Sequence, residues 1–240
     1  MSSRPRVTVG MPVHNARPYV AAAIESVLAQ DHPSFELVIV DDGSTDGTAG
    51  VLQRYRDRPG VRIVSNKKRL GRGRSRNLIT RLSRGIYLSP CDADDVMLPG
   101  NLKTLGRYLD RHPDVGAVYA DVRMETVDRR GRVLKQNGIR GRDCNRTWDL
   151  FDYAVNHPGC MMRKSCLVRV GGYDEKVAYV DDWSLFLKLA EITRIRYLPG
   201  RAYYVWRQHP GNVRKCTRRD LMDLARLRHE AFVRRYGAGT

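Results

Sequence analysis

No stretch of this 240-residue sequence approaches the ~18 to 20 consecutive apolar residues that a bilayer-crossing helix needs. The opening Met-Ser-Ser-Arg-Pro-Arg enters a strand-like run by Val7, which leaves no room for the apolar core of a signal peptide. Cysteines number five (Cys91, Cys144, Cys160, Cys166, Cys216), an odd count without any Cys-x-x-Cys, so free thiols in a reducing cytoplasm account for them most simply. There is no Walker lysine motif. Gly71-Arg72-Gly73 lacks the third glycine of a dinucleotide fingerprint, since Arg76 stands where it belongs. Asp42-Gly-Ser-Thr-Asp46-Gly47 lacks the glutamate that closes an EF-hand, because the twelfth position is Gln53, and the calcium reading fails. No internal repeat appears, and no linker is clean enough to cut domains.

Acidic residues are scarce beside basic ones, 26 against 43, for a net charge of +17. That balance invites a polyanionic partner, either nucleic acid or an anionic membrane surface. The basic residues are nevertheless spread along the whole chain with arginine dominating, so charge alone supports attraction to phosphates and identifies no ligand. A hydrophobic content of 42% is that of a globular protein, and the length fits one domain with a sizeable core or one domain with a C-terminal elaboration.

What is present is an alternation of strand and helix signals. Val7 to Met11 reads as a buried strand, Tyr19 to Ala29 as a helix introduced by Pro18, and Phe35 to Val40 as a strand with almost no polar interruption. A helix-like segment starts near Thr48, with Ser44, Thr45 or Asp46 to cap it. Val61 to Ser65 is a strand, a helix follows Gly71 to Asn77, and Ile86 to Leu88 is a fourth strand. This order predicts an α/β layer with parallel strands and right-handed crossovers, in which ligands bind beyond the carboxyl ends of the strands. Three polar clusters stand at such ends: His14-Asn15, Asp41-Asp42 and Asp92 to Asp95. Beyond Asp121 the pattern loosens. Glu125 to Asn145 reads as a hairpin or loop, Gly159 to Arg163 and Ala202 to Trp206 as strands, and Arg219 to Tyr236 as an amphipathic helix.

Leu88-Ser-Pro-Cys-Asp-Ala-Asp-Asp-Val-Met-Leu-Pro99 carries the chemistry. Alternate residues on an extended chain share a face, so Asp92 and Asp94 can present carboxylates to one point. Such a pair suits a hard divalent ion, Mg²⁺ or Mn²⁺, that also takes phosphate oxygens; an acidic turn closing a strand is the plainer account. Gly71-Arg-Gly-Arg-Ser-Arg76 could lie in a minor groove or hold a diphosphate near a helix start, and the lack of interleaved aromatics weighs against nucleic acid. Asp181-Asp182-Trp183 opens a helix. Capping explains one carboxylate comfortably and two less well, and a carboxylate there also suits a general base. His209, after a strand, is by itself an ordinary surface or structural histidine.

Taken in order, Pro12-Val-His-Asn15, Val40-Asp-Asp-Gly-Ser-Thr-Asp46, Arg76-Asn77, Asp92-Ala-Asp94-Asp95, Asp181-Asp182-Trp183 and Arg207-Gln-His209 resemble glycosyltransferase family 2, from about Val7 to Asn212. The resemblance implies a GT-A fold, a Rossmann-like and mostly parallel sheet flanked by helices, with a C-terminal acceptor-side extension. It implies a domain over 1–215, with a nucleotide-binding half to about 121 and an acceptor-binding half to 215, followed by a basic helix over 216–240. It further implies that Pro12, Val13, His14, Asn15 and Asp42 bind the nucleobase, with Asp42 accepting from a uracil N–H. By the same resemblance Arg76 meets the nucleotide phosphates, Asp92 the nucleotide side and Asp94 with His209 a divalent metal. Asp95 and Arg207 then serve the donor sugar or its support. Asp182 is the implied catalytic base, and Asp181 replaces the usual glutamate beside it. The expected reaction is inverting transfer from a nucleotide diphosphate sugar, a UDP-sugar first, to an acceptor that the residues do not name.

No nucleic-acid partner is expected, although a nucleic-acid-binding protein and a metal-dependent nucleotidyltransferase are the alternative readings. Glu125 to His157 and the C-terminal helix are expected to shape the acceptor site. A cytoplasmic chain is expected, with peripheral contact at an anionic membrane through the arginine-rich face of that helix as an option.

Overall fold

In a computed structural model of the chain, residues 5–128, 131–144, 155–177, 179–211 and 217–237 are described. Asn212, Cys216 and the stretch 145–154 of the expected acceptor segment lie outside them.

The amino-terminal half is built as its alternation predicts. Strand β1 (Val7–Val13), helix α1 (Val20–Leu28), β2 (Phe35–Asp41), α2 (Thr48–Gln53), β3 (Val61–Ser65), α3 (Arg72–Leu82) and β4 (Tyr87–Pro90) follow one another. The four strands pair in parallel in the order β3-β2-β1-β4. Strand β2 has almost no polar position because both of its faces are covered. Leu37 and Ile39 pack with α1 and its neighbours, while Val38 and Val40 pack with Ile79 of α3. Helix α3 lies so close to β1 that a Cβ at Gly10 would stand 2.5 Å from Ile79 Cγ2, which explains the glycine in an otherwise bulky strand.

The remaining elements are β5 (Val96–Met97), α4 (Asn101–Arg111), β6 (Val115–Val127), β7 (Val133–Ile139), β8 (Met161–Arg163), α5 (Lys164–Arg169), α6 (Asp181–Ile192), β9 (Arg194–Gln208) and α7 (Arg218–Tyr236). They extend the same sheet through β4-β8-β6-β9-β5, with β7 on the edge of β6. Here the sheet is mixed. β8 runs antiparallel to β4 and β6, β5 antiparallel to β9, and β6 parallel to β9. The loosened sequence pattern after Asp121 reflects this change, since the β6–β7 hairpin leaves nearly all of β7 in solvent. Strand β9 is far longer than the apolar run Ala202 to Trp206, because pairing with β6 carries it from Arg194 past three register shifts. That extension delivers Arg207 and His209 to the mouth of β4.

Going outward from β1, strands β2 and β3 lie on one side and β4 on the other. The order in which successive strands are added therefore reverses beside β1, and a crevice opens outside the carboxyl ends of β1 and β4.

Candidate active site

A cavity of about 260 Å³ occupies that crevice. Pro12, Val13, His14 and Asn15 form its floor from the end of β1, and Asp42 joins them from the end of β2. Arg69, Arg72 and Ser75 line one wall at the start of α3; Asp92, Ala93 and Asp94 line another after β4. Tyr19, His209 and Gly211 complete it.

The loops after β1 and β2 hold each other. His14 donates from Nδ1 to the Asp42 carbonyl at 3.0 Å; a carbonyl can only accept, so the neutral ring keeps Nε2 unprotonated. Asn15 has a φ of 51°, a left-handed conformation that asparagine tolerates. There its N–H donates to Ser44 Oγ at 3.0 Å and its Oδ1 accepts from Thr45 N at 2.8 Å. Asp46 is the residue that serves the start of α2, accepting from Thr48 N at 3.0 Å. Asp42 is buried, and its carboxylate accepts from Asn66 Nδ2 at 2.9 Å and from Leu70 N and Gly71 N at 2.8 Å each. Burial alone would raise its pKa, but these donors hold it below the ordinary value. Asp42 thus ties down the loop that brings Arg69 and Arg72 to the cavity.

The three carboxylates after β4 separate by environment. Asp95 is buried, accepting from Tyr204 Oη at 2.9 Å and from Arg207 N at 2.8 Å. Burial first, then the charges of Asp94 and Asp92, push its carboxyl well above the usual range. Asp95 and the Arg207 backbone therefore support the site from behind, and the Arg207 side chain lies 3.6 Å from Glu125. Asp92 and Asp94 keep 27% and 26% of their side chains exposed on the cavity side. Asp94 Oδ2 lies 3.2 Å from His209 Nε2. His209 Nδ1 accepts from Gly211 N at 3.1 Å, and the ring stacks on Tyr19 with centroids 4.1 Å apart.

The Asp94–His209 pair can be tested against a divalent ion. Two ligands at adjacent corners of an octahedron with bonds of ~2.1 Å stand roughly 3.0 Å apart, close to the observed separation. With Nδ1 accepting from the Gly211 N–H, the neutral ring carries its proton on Nε2 and points it at Asp94; binding an ion through Nε2 would require that proton to move to Nδ1 and the Gly211 contact to break. One carboxylate and one imidazole suit Mn²⁺ better than oxygen-seeking Mg²⁺. No cluster of three or more His, Cys, Asp or Glu side chains is placed to hold a metal among the described residues, so donor phosphates or water would have to complete the shell.

Arg76, expected at the nucleotide phosphates, is not among the residues lining the cavity. Its guanidinium is buried and donates from Nη1 to Asp181 Oδ2 at 2.7 Å and from Nη2 to Asp92 Oδ1 at 3.0 Å. The fork ties α3 to the loop after β4 and to the start of α6. Arg72, one turn earlier, lines the cavity together with Arg69. It holds Asp181 through Nε at 3.0 Å and the Tyr179 carbonyl through Nη2 at 3.0 Å.

The adjacent carboxylates Asp181 and Asp182 are thereby set apart. Asp181 is fully buried; burial opposes its charge, but Arg76 and Arg72 overcome this and lower its pKa. Asp182 is half-buried and has no arginine fork of its own. Desolvation first, then the charge of Asp181, raise its pKa. His157, by contrast, is a core residue, bonded to Tyr173 Oη at 2.9 Å and kept neutral by burial.

Sequence reasoning missed Tyr19, which reads only as a helix residue, and Tyr204, which reads only as a strand residue. Arg69 and Arg72 had a signal, the basic run at a helix start, but nothing in that run says which arginine faces the cavity.

Residues 8–171 match the model of glycosyl transferase family 2. The chain belongs to that family. This glycosyltransferase domain is 29% identical over 195 residues to the chondroitin synthase of Escherichia coli, covering 81% of the chain but 28% of that protein. It is 26% identical over 247 residues to the succinoglycan biosynthesis protein ExoO of Rhizobium meliloti, covering 97% of the chain and 69% of ExoO. Among solved structures, S. aureus TarS 1-349 in complex with UDP-GlcNAc superposes on 97% of the glycosyltransferase with a TM-score of 0.76 at 20% identity, over 68% of that chain. The mannosyltransferase PcManGT of Pyrobaculum calidifontis, in complex with GDP-Man and Mn²⁺, gives a TM-score of 0.64 at 23% identity, over 97% and 63% of the two chains. These likenesses are of fold, and the fold is GT-A. The nucleotidyltransferase and nucleic-acid readings draw no support from them.

Proposed function

We propose that this glycosyltransferase moves a sugar from a nucleotide diphosphate sugar, a UDP-sugar first, to an acceptor hydroxyl with inversion at the anomeric carbon. The carrying observation is the cavity itself. It joins the β1 and β2 ends, a cationic wall of Arg69 and Arg72, and the Asp94–His209 pair; Asp182 lies outside its lining, next in the chain to Asp181, which Arg72 holds.

In this reading the nucleobase lies against Pro12, Val13, His14 and Asn15, with His14 offering a ring face and an acceptor nitrogen. Asp42 orders the loop beneath it. Arg69 and Arg72 meet the diphosphate, and Arg72 can do so while still bound to Asp181. Asp94 and His209 would hold a divalent ion, which would supply stabilisation of negative charge on the departing diphosphate. Asp182 takes the proton from the acceptor hydroxyl as it attacks, and a raised pKa makes it a stronger base than an ordinary aspartate. Asp181 positions Arg72 and Arg76 and leaves the proton to Asp182. Asp92 sits between Arg76 and the cavity on the nucleotide side. The acceptor approaches from the half formed by about 122–215.

Support for a UDP donor and for Mn²⁺ comes from relatives of the same fold bound to UDP-GlcNAc and, in PcManGT, to GDP-Man with Mn²⁺. The deciding experiment is a thermal-shift panel of nucleotide sugars with and without Mn²⁺, followed by an assay of nucleotide diphosphate release. A metal-dependent shift with one donor class is expected; no shift with any nucleotide sugar overturns the reading.

A further inference from the structure

The C-terminal helix α7 is clamped to the protein by one face. Leu227 and Ala231 are buried in the core beside α6, Arg234 bonds Glu191 of α6 at 2.9 Å, and Arg228 covers the ring of Trp183 at 5.0 Å. The opposite face lies in solvent and carries five exposed apolar side chains, Leu221 (58% exposed), Met222 (65%), Phe232 (41%), Val233 (42%) and Tyr236 (48%), with the exposed Arg218 and His229 among them. At about 3.6 residues per turn these five side chains fall in one stripe roughly a third of the circumference wide. Arginines border it on both sides: Arg219 and Arg226 on one, the latter paired with Glu230 at 2.7 Å, and on the other Arg235, which also donates to the Ala190 carbonyl at 3.0 Å, beside the Trp183-stacked Arg228.

We propose that this face of α7 rests on an anionic lipid surface, its apolar stripe at the headgroup–acyl boundary and its arginine rims on lipid phosphates. An apolar stripe with two cationic rims is the complement of such a surface, which offers hydrocarbon beneath a sheet of negative charge. A second copy of the chain is disfavoured, because an isologous contact would press arginine rim against arginine rim in a molecule already at +17. Nucleic acid would use the rims and leave the stripe wet. Since α7 packs on α6, the contact would also hold the helix that bears Asp181 and Asp182 beside the bilayer. A lipid-linked acceptor would meet the base there. That consequence rests on the transferase reading; the surface contact does not.

The test is co-sedimentation of the whole chain with phosphatidylcholine vesicles, with and without phosphatidylglycerol. Binding is expected only when the anionic lipid is present. A Leu221→Ser/Phe232→Ser variant should partition about tenfold more weakly, with its melting temperature and nucleotide-sugar shift unchanged. Arg219→Gln should cost roughly fivefold and flatten the salt dependence. Failure to bind anionic vesicles at low salt overturns the proposal. So does binding that the apolar variant leaves intact and salt removes, which would be adsorption through net charge. A concentration-dependent dimer abolished by the same variant would assign the face to a second copy and also overturn it. Vesicle binding without any nucleotide-sugar response would sink the transferase reading while leaving this one standing.

Discussion

Arg76 Nη1 lies 2.7 Å from Asp181 Oδ2, both side chains almost wholly buried, and this contact separates the two aspartates that open α6. One carboxylate is consumed in holding α3 against α6. Its neighbour, carrying the same charge one residue later, is left with a raised pKa and only partial burial.

Asp182→Asn should lower turnover by roughly 10² to 10⁴ while leaving nucleotide-sugar binding close to wild type. Single-turnover transfer and calorimetric binding on the same preparation measure the two. Near-normal transfer would move the base elsewhere. The base must be deprotonated to act and its pKa is raised, so the acid limb of the rate profile should lie above the ordinary aspartate value of ~3.9.

Asp181→Asn should cost stability, by about 3 kcal/mol, because it strips a buried arginine of its main counter-charge. The pKa of Asp181 is lowered in the fold. Its contribution is therefore complete above the unfolded-state value of ~3.9 and is lost as pH falls through the lowered one. Urea unfolding of both proteins as a function of pH should show the gap closing at the acid end. A gap that stays constant with pH would contradict an ionised, paired Asp181.

Arg72→Ala and Arg76→Ala should behave differently despite their shared partner. Loss of Arg72 from the cavity wall should raise the donor KM about tenfold, as for one charge-assisted contact, with a smaller loss of stability than Arg76→Ala because Arg76 still pairs Asp181. Loss of Arg76 leaves Asp181 and Asp92 short of a cation and should appear first as lowered stability. Equal effects of the two variants on KM would mean that both arginines reach the donor.

His209→Ala should raise the Mn²⁺ concentration needed for half-maximal activity by roughly tenfold or more, and Tyr19→Ala should do so more weakly by removing the ring beneath it. Metal titrations of transfer rate provide the readout. If the titration curve of His209→Ala matches wild type, the metal lies away from this pair.

Asp42→Ala should loosen the 66–71 loop and weaken donor binding together, since three donors lose their acceptor. Faster amide exchange at Leu70 and Gly71 would report the loop directly.

Much of this was legible along the chain. The unbroken apolar character of Phe35 to Val40, the alternation up to Leu109 and the placement of carboxylates at strand ends determined an α/β layer with its site beyond the strand termini. These are local properties: periodicity and turn chemistry act through neighbours a few residues away. The Asp94 and His209 positions were readable only through their order in the chain, because a lone histidine carries no mark of its partner. Strand β5, and the antiparallel pairing of β8 (itself read as a strand at Gly159 to Arg163), escaped a reading based on parallel crossovers, since edge pairing depends on which strand comes alongside and leaves little trace in short segments.

Tertiary structure alone decided which of several chemically equal residues face the cavity. Sequence offers Arg69, Arg72, Arg74 and Arg76 on equal terms, and Asp181 beside Asp182. The docking of α6 on α3 buries Arg76 with Asp181 and leaves Arg72 on the cavity wall. The reason is physical. A buried charge must find a partner, and the partner here lies 105 residues away, at a distance along the chain that no local pattern records.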